Sequence, residues 1–362
     1  MKDGFDDLNE EINRGLEGKN SGVSMGFHRL NRYIGIRKKI YSLVFGSSGS
    51  GKTAWVHSAY ILNPFDWYMK ERQKPGGSKI KFKIPLFSME RSAIYTKAKW
   101  VTRKIFLDTG IQVPIARMLG WWEQKLTKDE HDLVLQYGDY INELLEIVDI
   151  VEGAQNPTGV RKYLKSLAEA NGKVEQIDEY HYIYIPNDEG LIIIPIFDHQ
   201  GLFKGEKGIS SKKEAIDKVS EDLQRARDLY GMSPVIVAQL TRNLSNPMFQ
   251  KMDSFEPSID DIKESGAPGE AADIILSLFD PIRYKTNDAG GYEVEKFIDT
   301  NTGANFFRSV KIIKSTYSED NIRIGMAFQG FSGTFAELPM SRDIREKGFD
   351  YSKLFNGQYF LE

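Results

Sequence analysis

The sequence predicts an α/β fold in which helices flank a mainly parallel central sheet and the last strands are antiparallel. Apolar runs of strand length alternate with helical stretches, which is the order typical of parallel sheets. The run at residues 191–198 is apolar on both faces, as central parallel strands are. A glycine-rich loop follows the first apolar run, residues 40–45, and precedes a stretch without glycine or proline. This placement predicts a phosphate-binding turn between a strand and a helix.

The glycine-rich loop has the complete spacing of a P-loop. Its residues are Gly46, Ser47, Ser48, Gly49, Ser50, Gly51, Lys52 and Thr53. In such a turn consecutive backbone N–H groups point at one anion, with the positive end of the helix dipole behind them. Lys52 would reach the β- and γ-phosphates of ATP, and the Thr53 hydroxyl would ligate Mg²⁺. The alternative is a flexible Gly/Ser linker, but linkers do not characteristically end in Gly-Lys-Thr before a helix.

The composition is that of an ordinary globular protein. The chain has 362 residues, 41% hydrophobic and 27% charged, which suits one large α/β domain with insertions or two modest ones. It contains no cysteine, so disulfides and thiolate metal sites are excluded. No apolar run approaches membrane-spanning length and no signal peptide is evident, so we expect a cytoplasmic protein without a membrane partner. Because the net charge is only −3, any nucleic-acid contact must come from local basic loops.

Further elements are predicted from apolar runs and helix caps. Ser92 is expected to cap a helix that continues to about residue 107, and Thr158 to cap another. Between them the chain is predicted to be mostly helical as far as residue 150. Pro195 removes one ladder donor from its strand, so an irregularity is expected there. The remaining predicted strands are residues 84–88, 235–239, 273–279, 310–314 and 322–328.

A short amphipathic arm precedes these elements. Leu8, Ile12 and Leu16 are spaced four residues apart and form a narrow apolar stripe on an otherwise charged helix. A helix this short is not stable alone, so we expect it to dock on its own domain or on a neighbouring subunit. We therefore divide the chain into an arm at residues 1–22, an ATPase domain at residues 23–335 and a C-terminal extension at residues 336–362.

Asp198 ends the strongest apolar run and is the candidate Walker B acid. A fixed carboxylate at the carboxyl end of a strand beside the P-loop would hold the water shell of Mg²⁺. The alternative is an ordinary turn residue at the end of a strand. Together with the P-loop and the alternating strands and helices, this acid predicts a P-loop ATPase.

Five segments in this order resemble those of the DnaB-type replicative helicases, including phage relatives, whose motor domain is RecA-like. They are Met25-Gly26-Phe27-His28-Arg29-Leu30, Phe87-Ser88-Met89-Glu90-Arg91-Ser92, Phe197-Asp198-His199, Val237-Ala238-Gln239-Leu240-Thr241-Arg242, and Asp261-Ile262-Lys263-Glu264-Ser265-Gly266 with Ala272-Asp273-Ile274-Ile275. The resemblance covers roughly residues 23–328. It implies an ATP-dependent replicative DNA helicase motor that moves on single-stranded DNA as a ring or helical hexamer.

The resemblance also assigns roles to residues. Glu90 would polarise the attacking water and Gln239 would sense the γ-phosphate, beside Lys52 and Asp198 as the other catalytic groups. In-line attack on the γ-phosphate needs such a water-orienting group. The alternative is that Glu90 is an acid near a helix N-terminus, where the helix dipole favours a negative charge. Loops in a central channel would hold the phosphates of single-stranded DNA, although a basic loop also reads as a solvated face. The candidate DNA-binding residues are Lys263, Glu264 and Gly266 in one loop, Lys204 and Lys207 in a second, and Arg242 after the strand at residues 235–239.

Two features depart from the family pattern. We expect no counterpart of the family's large helical N-terminal domain, so primase binding is not carried over, and the sequence leaves a primase or loader open as a partner. Lys314 matches the lysine that precedes the family's arginine finger, but Thr316 occupies the finger's place. Arg308 or Arg323 would then substitute, or hydrolysis activated by a neighbouring subunit would be weak. Two alternatives therefore stay open: a RecA-fold DNA-dependent ATPase that does not unwind, such as a recombination mediator, and a nucleotide-binding DNA scaffold with little turnover.

Overall fold

The computed structural model describes residues 5–18, 20, 22–179, 181–240, 257–262, 266–286 and 289–361. These residues confirm the predicted class, a mixed α/β fold with a large, mostly parallel sheet. The strands are β1 Ser42–Gly46, β2 Lys81–Ser88, β3 Val148–Glu152, β4 Gly172–Gln176, β5 Tyr182–Pro186, β6 Leu191–Ile193, β7 Ile196–Asp198, β8 Val235–Gln239, β9 Ile274–Phe279, β10 Phe307–Ser315, β11 Arg323–Gln329 and β12 Thr334–Glu337.

The main sheet has ten strands among the described residues. Their order is β12-β11-β10-β9-β1-β8-β7-β2-β3, and β6 pairs with the first part of β2. The strands from β9 to β3 in this order are parallel, whereas β10, β11 and β12 are antiparallel to their neighbours, as the C-terminal sequence predicts. Gly46 is level with Gln239, and Ser88 is level with Asp198. The carboxyl ends of β1, β8, β7 and β2 therefore form one edge.

Helices cover both faces of this sheet. They are α1 Asp6–Leu16, α2 Lys52–His57, α3 Asn63–Arg72, α4 Ala93–Thr109, α5 Ile115–Met118, α6 Lys128–Leu135, α7 Gly138–Ile147, α8 Pro157–Asn171, α9 Lys212–Tyr230, α10 Ala267–Ala271, α11 Ser341–Lys347 and α12 Tyr351–Phe355. The two-residue period of β1 supplies both cores, because Val44 packs with Trp55 of α2 while Leu43 and Phe45 pack with Leu223 of α9. Burial of β1 on both faces fixes the position of the glycine-rich loop, residues 46–53, at the carboxyl end of this strand.

Several boundaries differ from those predicted. The strand at residues 191–198 is interrupted before β7, as Pro195 predicts. Ser92 does cap α4, since its side chain accepts a hydrogen bond from the Tyr95 N–H at 3.3 Å. The prediction that Thr158 caps α8 is wrong. Asn156 is the cap, because its side chain accepts from the Gly159 N–H at 2.7 Å, and the Thr158 hydroxyl donates to Glu206 instead.

The two ends of the chain are arranged differently. Residues of the C-terminal extension, such as Leu338, Leu354 and Phe360, pack in one apolar cluster with Phe297 and Phe307 of the larger domain. On α1, by contrast, the predicted apolar stripe faces outward: Leu8 is 54%, Ile12 46% and Leu16 82% exposed. Among the described residues, no helix is both long enough and apolar enough to cross a membrane.

Candidate nucleotide site

A cavity of about 420 Å³ opens at the carboxyl edge of β1, β8, β7 and β2. Parallel strands that end together place the side chains that follow them around one crevice. The predicted catalytic residues therefore meet here although about 190 positions separate the first from the last. The residues of the lining that were predicted from the sequence are Ser48, Gly49, Gly51, Lys52, Thr53, Glu90, Asp198 and Gln239.

The turn after β1 needs its glycines for two different reasons. At Gly46 an added Cβ would lie 2.3 Å from the Leu278 carbonyl oxygen, so the close approach of β9 excludes any side chain. Gly49 and Gly51 have φ of 78° and 93°, which L-residues with a Cβ seldom adopt. The resulting turn brings the backbone around to the N-terminus of α2, where its N–H groups suit an anion.

Two hydroxyl groups in this turn indicate that it suits a polar ligand. The side-chain oxygens of Ser47 and Ser50 are buried and have no hydrogen-bond partner among the described residues. A buried hydroxyl without a partner is costly, so such groups are commonly satisfied by water or by a ligand. Together with the glycine cradle, they show that this turn fits a polyphosphate.

Lys52 begins α2 and is almost completely buried. Its Nζ donates hydrogen bonds to the carbonyl oxygens of Gly46 at 2.9 Å and Ser47 at 2.8 Å. Burial lowers the pKa of Lys52 to about 8, although the nearby carboxylates of Asp198 and Glu90 act in the opposite direction. The ammonium is thus held beside the turn in an environment that favours an additional anion.

Thr53 and Asp198 lie together, as a shared magnesium site requires. The Thr53 side chain is hydrogen-bonded to the buried Asp198 carboxylate, and burial raises the pKa of Asp198 to about 6. In the part of the chain that the structure describes, no group of three or more His, Asp or Glu side chains is placed to hold a metal. Mg²⁺ usually takes one or two protein ligands and completes its shell with phosphate and water, so Thr53 and Asp198 are the pair that would hold it.

Glu90 and Gln239 border the same cavity on either side of Asp198. Glu90 follows the end of β2 and is exposed, with Oε1 3.5 Å from Nη2 of Arg91. Gln239 ends β8, and its side-chain amide lies 3.2 Å from Nε2 of His199. A backbone hydrogen bond joins the end of β2 to the end of β7, because the Met89 N–H donates to the Asp198 carbonyl at 3.1 Å. The arrangement provides two anionic groups and one amide around the space beyond the P-loop.

Comparison with solved structures identifies the fold. An ATPase domain that was solved on its own matches with a TM-score of 0.67 and 16% identity, over 93% of this chain and 100% of that one. A DnaB-like replicative helicase, solved in a study of its interactions with primase, matches with a TM-score of 0.65 and 16% identity, over 94% of this chain and 68% of that one. No family model and no curated protein sequence matches. The chain has the RecA-like fold of a DnaB-type helicase domain.

The three candidates for a finger lie in different places in this RecA-like domain. Lys314 lies near the end of β10, level with the amino end of β9 and away from its own P-loop, and donates to the Glu270 carbonyl at 3.2 Å. Arg323 begins β11 and lies over Gly290, where an added Cβ would meet its Cδ at 2.8 Å. Both remain candidates to reach a neighbouring subunit.

Arg308 instead supports the P-loop of its own subunit. It is buried, its Nε donates to the Ser50 carbonyl at 3.2 Å, and its Nη2 lies 3.4 Å from the Asp280 carboxylate. The guanidinium also lies over the ring of Phe328, 4.9 Å from its centroid. A side chain held in this way is not placed to reach another copy, so the structure argues against Arg308 as a finger.

The candidate DNA-binding residues are only partly described. Lys204 and Lys207 are exposed in the loop after β7, and this loop is tied to α8 through the hydrogen bonds of Glu206 with Thr158. Gly266 is exposed at the start of α10. Arg242, Lys263 and Glu264 lie outside the described residues.

Two further cations at the RecA-like site were missed in the sequence. Arg283 follows β9, and its Nη1 donates to the Ser48 carbonyl of the P-loop. Lys99 of α4 lines the cavity and donates to the carbonyl oxygens of Gly330 at 3.2 Å and Phe331 at 2.5 Å, in the turn between β11 and β12. Neither belongs to a recognisable motif. A signal for Lys99 is its position on α4, which begins three residues after Glu90.

Proposed function

We propose that this chain is an ATP-driven replicative DNA helicase motor that moves on single-stranded DNA as a ring or helical hexamer. One observation carries the proposal: five side chains suited to phosphoryl transfer border one cavity at the ends of adjacent parallel strands. They are Lys52, Thr53, Glu90, Asp198 and Gln239. The likeness of fold to a DnaB-like replicative helicase favours DNA unwinding over other ATP-driven activities.

The chemistry divides among these side chains by charge and position. Mg²⁺, when bound with ATP, neutralises charge on the β- and γ-phosphates. Thr53 and the ionised Asp198 would hold that ion, and Lys52, which now donates to two carbonyl oxygens, would donate to phosphate oxygens instead. Glu90 is exposed to the cavity and orients water for in-line attack. Gln239 faces the γ-phosphate from the adjacent strand end.

Two features support action on DNA as an assembly. Lys204 and Lys207 are exposed in the loop that follows the Asp198 strand, so this loop offers two cations to a phosphate backbone. The exposed apolar stripe of α1 supports contact with a second copy, because three exposed large apolar side chains on one short helix favour burial. A cytoplasmic location and a primase or loader partner are proposed from the helicase role alone.

A nucleotide-binding scaffold with little turnover is the second candidate. Thr316 favours it, since it occupies the position where the resembling family supplies an arginine finger and donates instead to the Asp273 carbonyl at 3.3 Å. A missing finger lowers phosphoryl-transfer rates by orders of magnitude. Steady-state ATP hydrolysis distinguishes the two candidates.

ATPase and strand-displacement assays on three proteins test the proposal. The wild type should hydrolyse ATP faster with single-stranded DNA and unwind a forked duplex. Lys52→Ala should abolish nucleotide binding, whereas Glu90→Gln should keep binding and lose turnover by on the order of 10²-fold or more. Turnover that DNA does not stimulate, or near-normal hydrolysis by Glu90→Gln, would contradict the proposed mechanism.

A further inference from the structure

His199 lines the nucleotide cavity and precedes the basic loop, and two of the contacts of its ring are directional. It directly follows Asp198 at the end of β7. The backbone N–H of Gly201 donates to its Nδ1 at 3.1 Å. Its Nε2 lies 3.2 Å from Nε2 of the Gln239 side chain. The imidazole therefore stands between the turn at residues 200–202 and the end of β8.

The first contact determines the tautomer of the ring. Because Nδ1 accepts a hydrogen bond from Gly201, it carries a lone pair, and the neutral ring carries its proton on Nε2. An Nε2–H group donates, and the amide nitrogen of Gln239 that lies opposite it also donates, so these two atoms do not share a hydrogen bond. The two ends of an amide have nearly the same shape, and a half-turn of the Gln239 amide places its oxygen on the His199 N–H. The two amide N–H bonds of Gln239 are then directed away from His199.

This orientation matters if the cavity holds ATP, and to that extent the inference rests on the proposed function. The oxygens of an ionised γ-phosphate accept hydrogen bonds, so Gln239 can bind them only through its N–H groups. An unconstrained amide could instead present its oxygen to the phosphate. We propose that His199 is a positioning residue that holds Gln239 with its N–H groups toward the γ-phosphate.

The same ring also fixes the start of the basic loop. Gly201 belongs to a turn that leads into Phe203, which is buried and whose ring centroid lies 5.9 Å from that of Phe197. Lys204 follows directly and is exposed. His199 therefore contacts both Gln239 and the turn that begins the basic loop.

A double-mutant cycle on the full chain tests the positioning role. His199→Ala and Gln239→Ala should each lower kcat for ATP by about tenfold, as expected when a hydrogen bond to a charged group is lost. Because both changes remove the same interaction, the double variant should be no slower than either single one. Affinity for a non-hydrolysable ATP analogue should fall, whereas affinity for ADP, which has no γ-phosphate, should stay unchanged. Multiplied effects in the double variant would overturn the proposal.

A shorter side chain separates positioning from a merely structural role. In His199→Asn the side-chain oxygen can still accept from Gly201, but the side chain is too short to reach Gln239. We expect it to behave like His199→Ala in kcat while it keeps the thermal stability of the wild type. Normal kcat in this variant would overturn the proposal. His131→Ala, an exposed histidine on α6, is the matched control and should leave kcat unchanged.

The nucleotide preference keeps the test independent of the proposed function. A wild-type chain that binds but does not hydrolyse ATP would contradict the motor. The ratio of affinities for the ATP analogue and ADP would still measure how Gln239 is oriented. An unchanged ratio in both His199→Ala and His199→Asn would overturn the positioning role by itself.

Discussion

At the scale of single residues, the candidate site holds charges that the protein alone does not satisfy well. Burial lowers the pKa of Lys52 to about 8 and raises that of Asp198 to about 6, so both shifts favour the neutral form. The two groups attract each other, but burial outweighs that attraction in each case. Bound Mg²⁺ and phosphate would reverse the balance. The buried charges of Lys52 and Asp198 therefore lower the stability of the ligand-free protein at a site that suits ligands of the opposite charge.

The first residue-scale prediction concerns Asp198. The pKa of Asp198 in the folded protein is raised above its unfolded value of 3.8, so folding favours the protonated carboxyl. The stability that the protonated form provides is complete below about pH 4 and is lost as pH rises through about 6. Asp198→Asn removes the buried charge and keeps an oxygen for Thr53. It should stabilise the ligand-free protein at pH 7.5 by on the order of 2 kcal/mol and have little effect near pH 4. Thermal unfolding at both pH values measures this.

Asp188→Asn is the control for that experiment. The pKa of Asp188 is lowered by its hydrogen bond with Lys81, so removal of its charge should not stabilise the protein at either pH. If Asp198→Asn lowered the melting temperature at pH 7.5, or raised it equally at both pH values, the burial argument would be wrong.

The second residue-scale prediction concerns Lys99. Burial lowers the pKa of this lysine to about 8, and its ammonium holds two carbonyl oxygens of the turn that forms part of the cavity wall. Lys99→Met should loosen that turn and raise KM for ATP about five- to tenfold, with a smaller change in kcat. Lys99→Arg should retain most of the affinity. Lys97→Met, on the same helix but outside the cavity lining, is the control. If Lys97→Met raised KM as much as Lys99→Met, Lys99 would have no specific role.

At the scale of elements, the sequence was most informative where a strand is buried on both faces. β8 was predicted to the residue and β9 within one, because a continuous apolar run admits few other placements. The carboxyl ends of such strands also locate the catalytic residues, so the centre of the site was predictable. Fold similarity then confirmed the RecA-like architecture.

The elements that were missed lack that signal. β3 begins at Val148, directly after α7 ends at Ile147, and neither glycine nor proline marks this junction. The residues of β3 were therefore assigned to the helical stretch. The β4–β5 hairpin keeps Val174 and Ile183 exposed, so no buried run marks it. The cap of α8 was misplaced although Pro157 at the first helical position indicates the preceding asparagine. Contacts such as that of Lys99 depend on tertiary packing that no local pattern encodes.

The prediction at the element scale concerns α1. Burying an apolar side chain of this size is worth roughly 1.5–3 kcal/mol before the cost of ordering the arm, enough to decide assembly at micromolar concentration. Leu8→Ser with Ile12→Ser should therefore give monomers that bind ATP but hydrolyse it poorly, if the proposed finger is supplied by a neighbouring subunit. Glu10→Ser, on another face of the helix, should assemble normally. Light scattering with an ATP analogue measures this, and hexamers of the double variant with full ATPase would place α1 on its own domain.

At the scale of the whole molecule, charge decides how DNA can be bound. The net charge is −3, so the overall field does not attract a polyanion. Attraction must come from cations concentrated on one surface, and the exposed Lys204 and Lys207 lie in the loop that follows β7. Binding through phosphates in this way is insensitive to base sequence and sensitive to salt.

The last prediction measures that binding directly. Affinity for single-stranded DNA should fall steeply with salt and vary little with sequence, because each lysine on a phosphate releases about one counterion. Lys263→Ala and Lys207→Ala should each reduce the slope of log K against log salt by about one unit. Lys165→Ala, an exposed lysine on α8 that pairs with Glu169, should leave the slope unchanged. Titration of a labelled oligonucleotide at several salt concentrations gives the slopes. If Lys207→Ala weakens binding without changing the slope, its ammonium does not contact a phosphate, and the basic loop acts only through its fold.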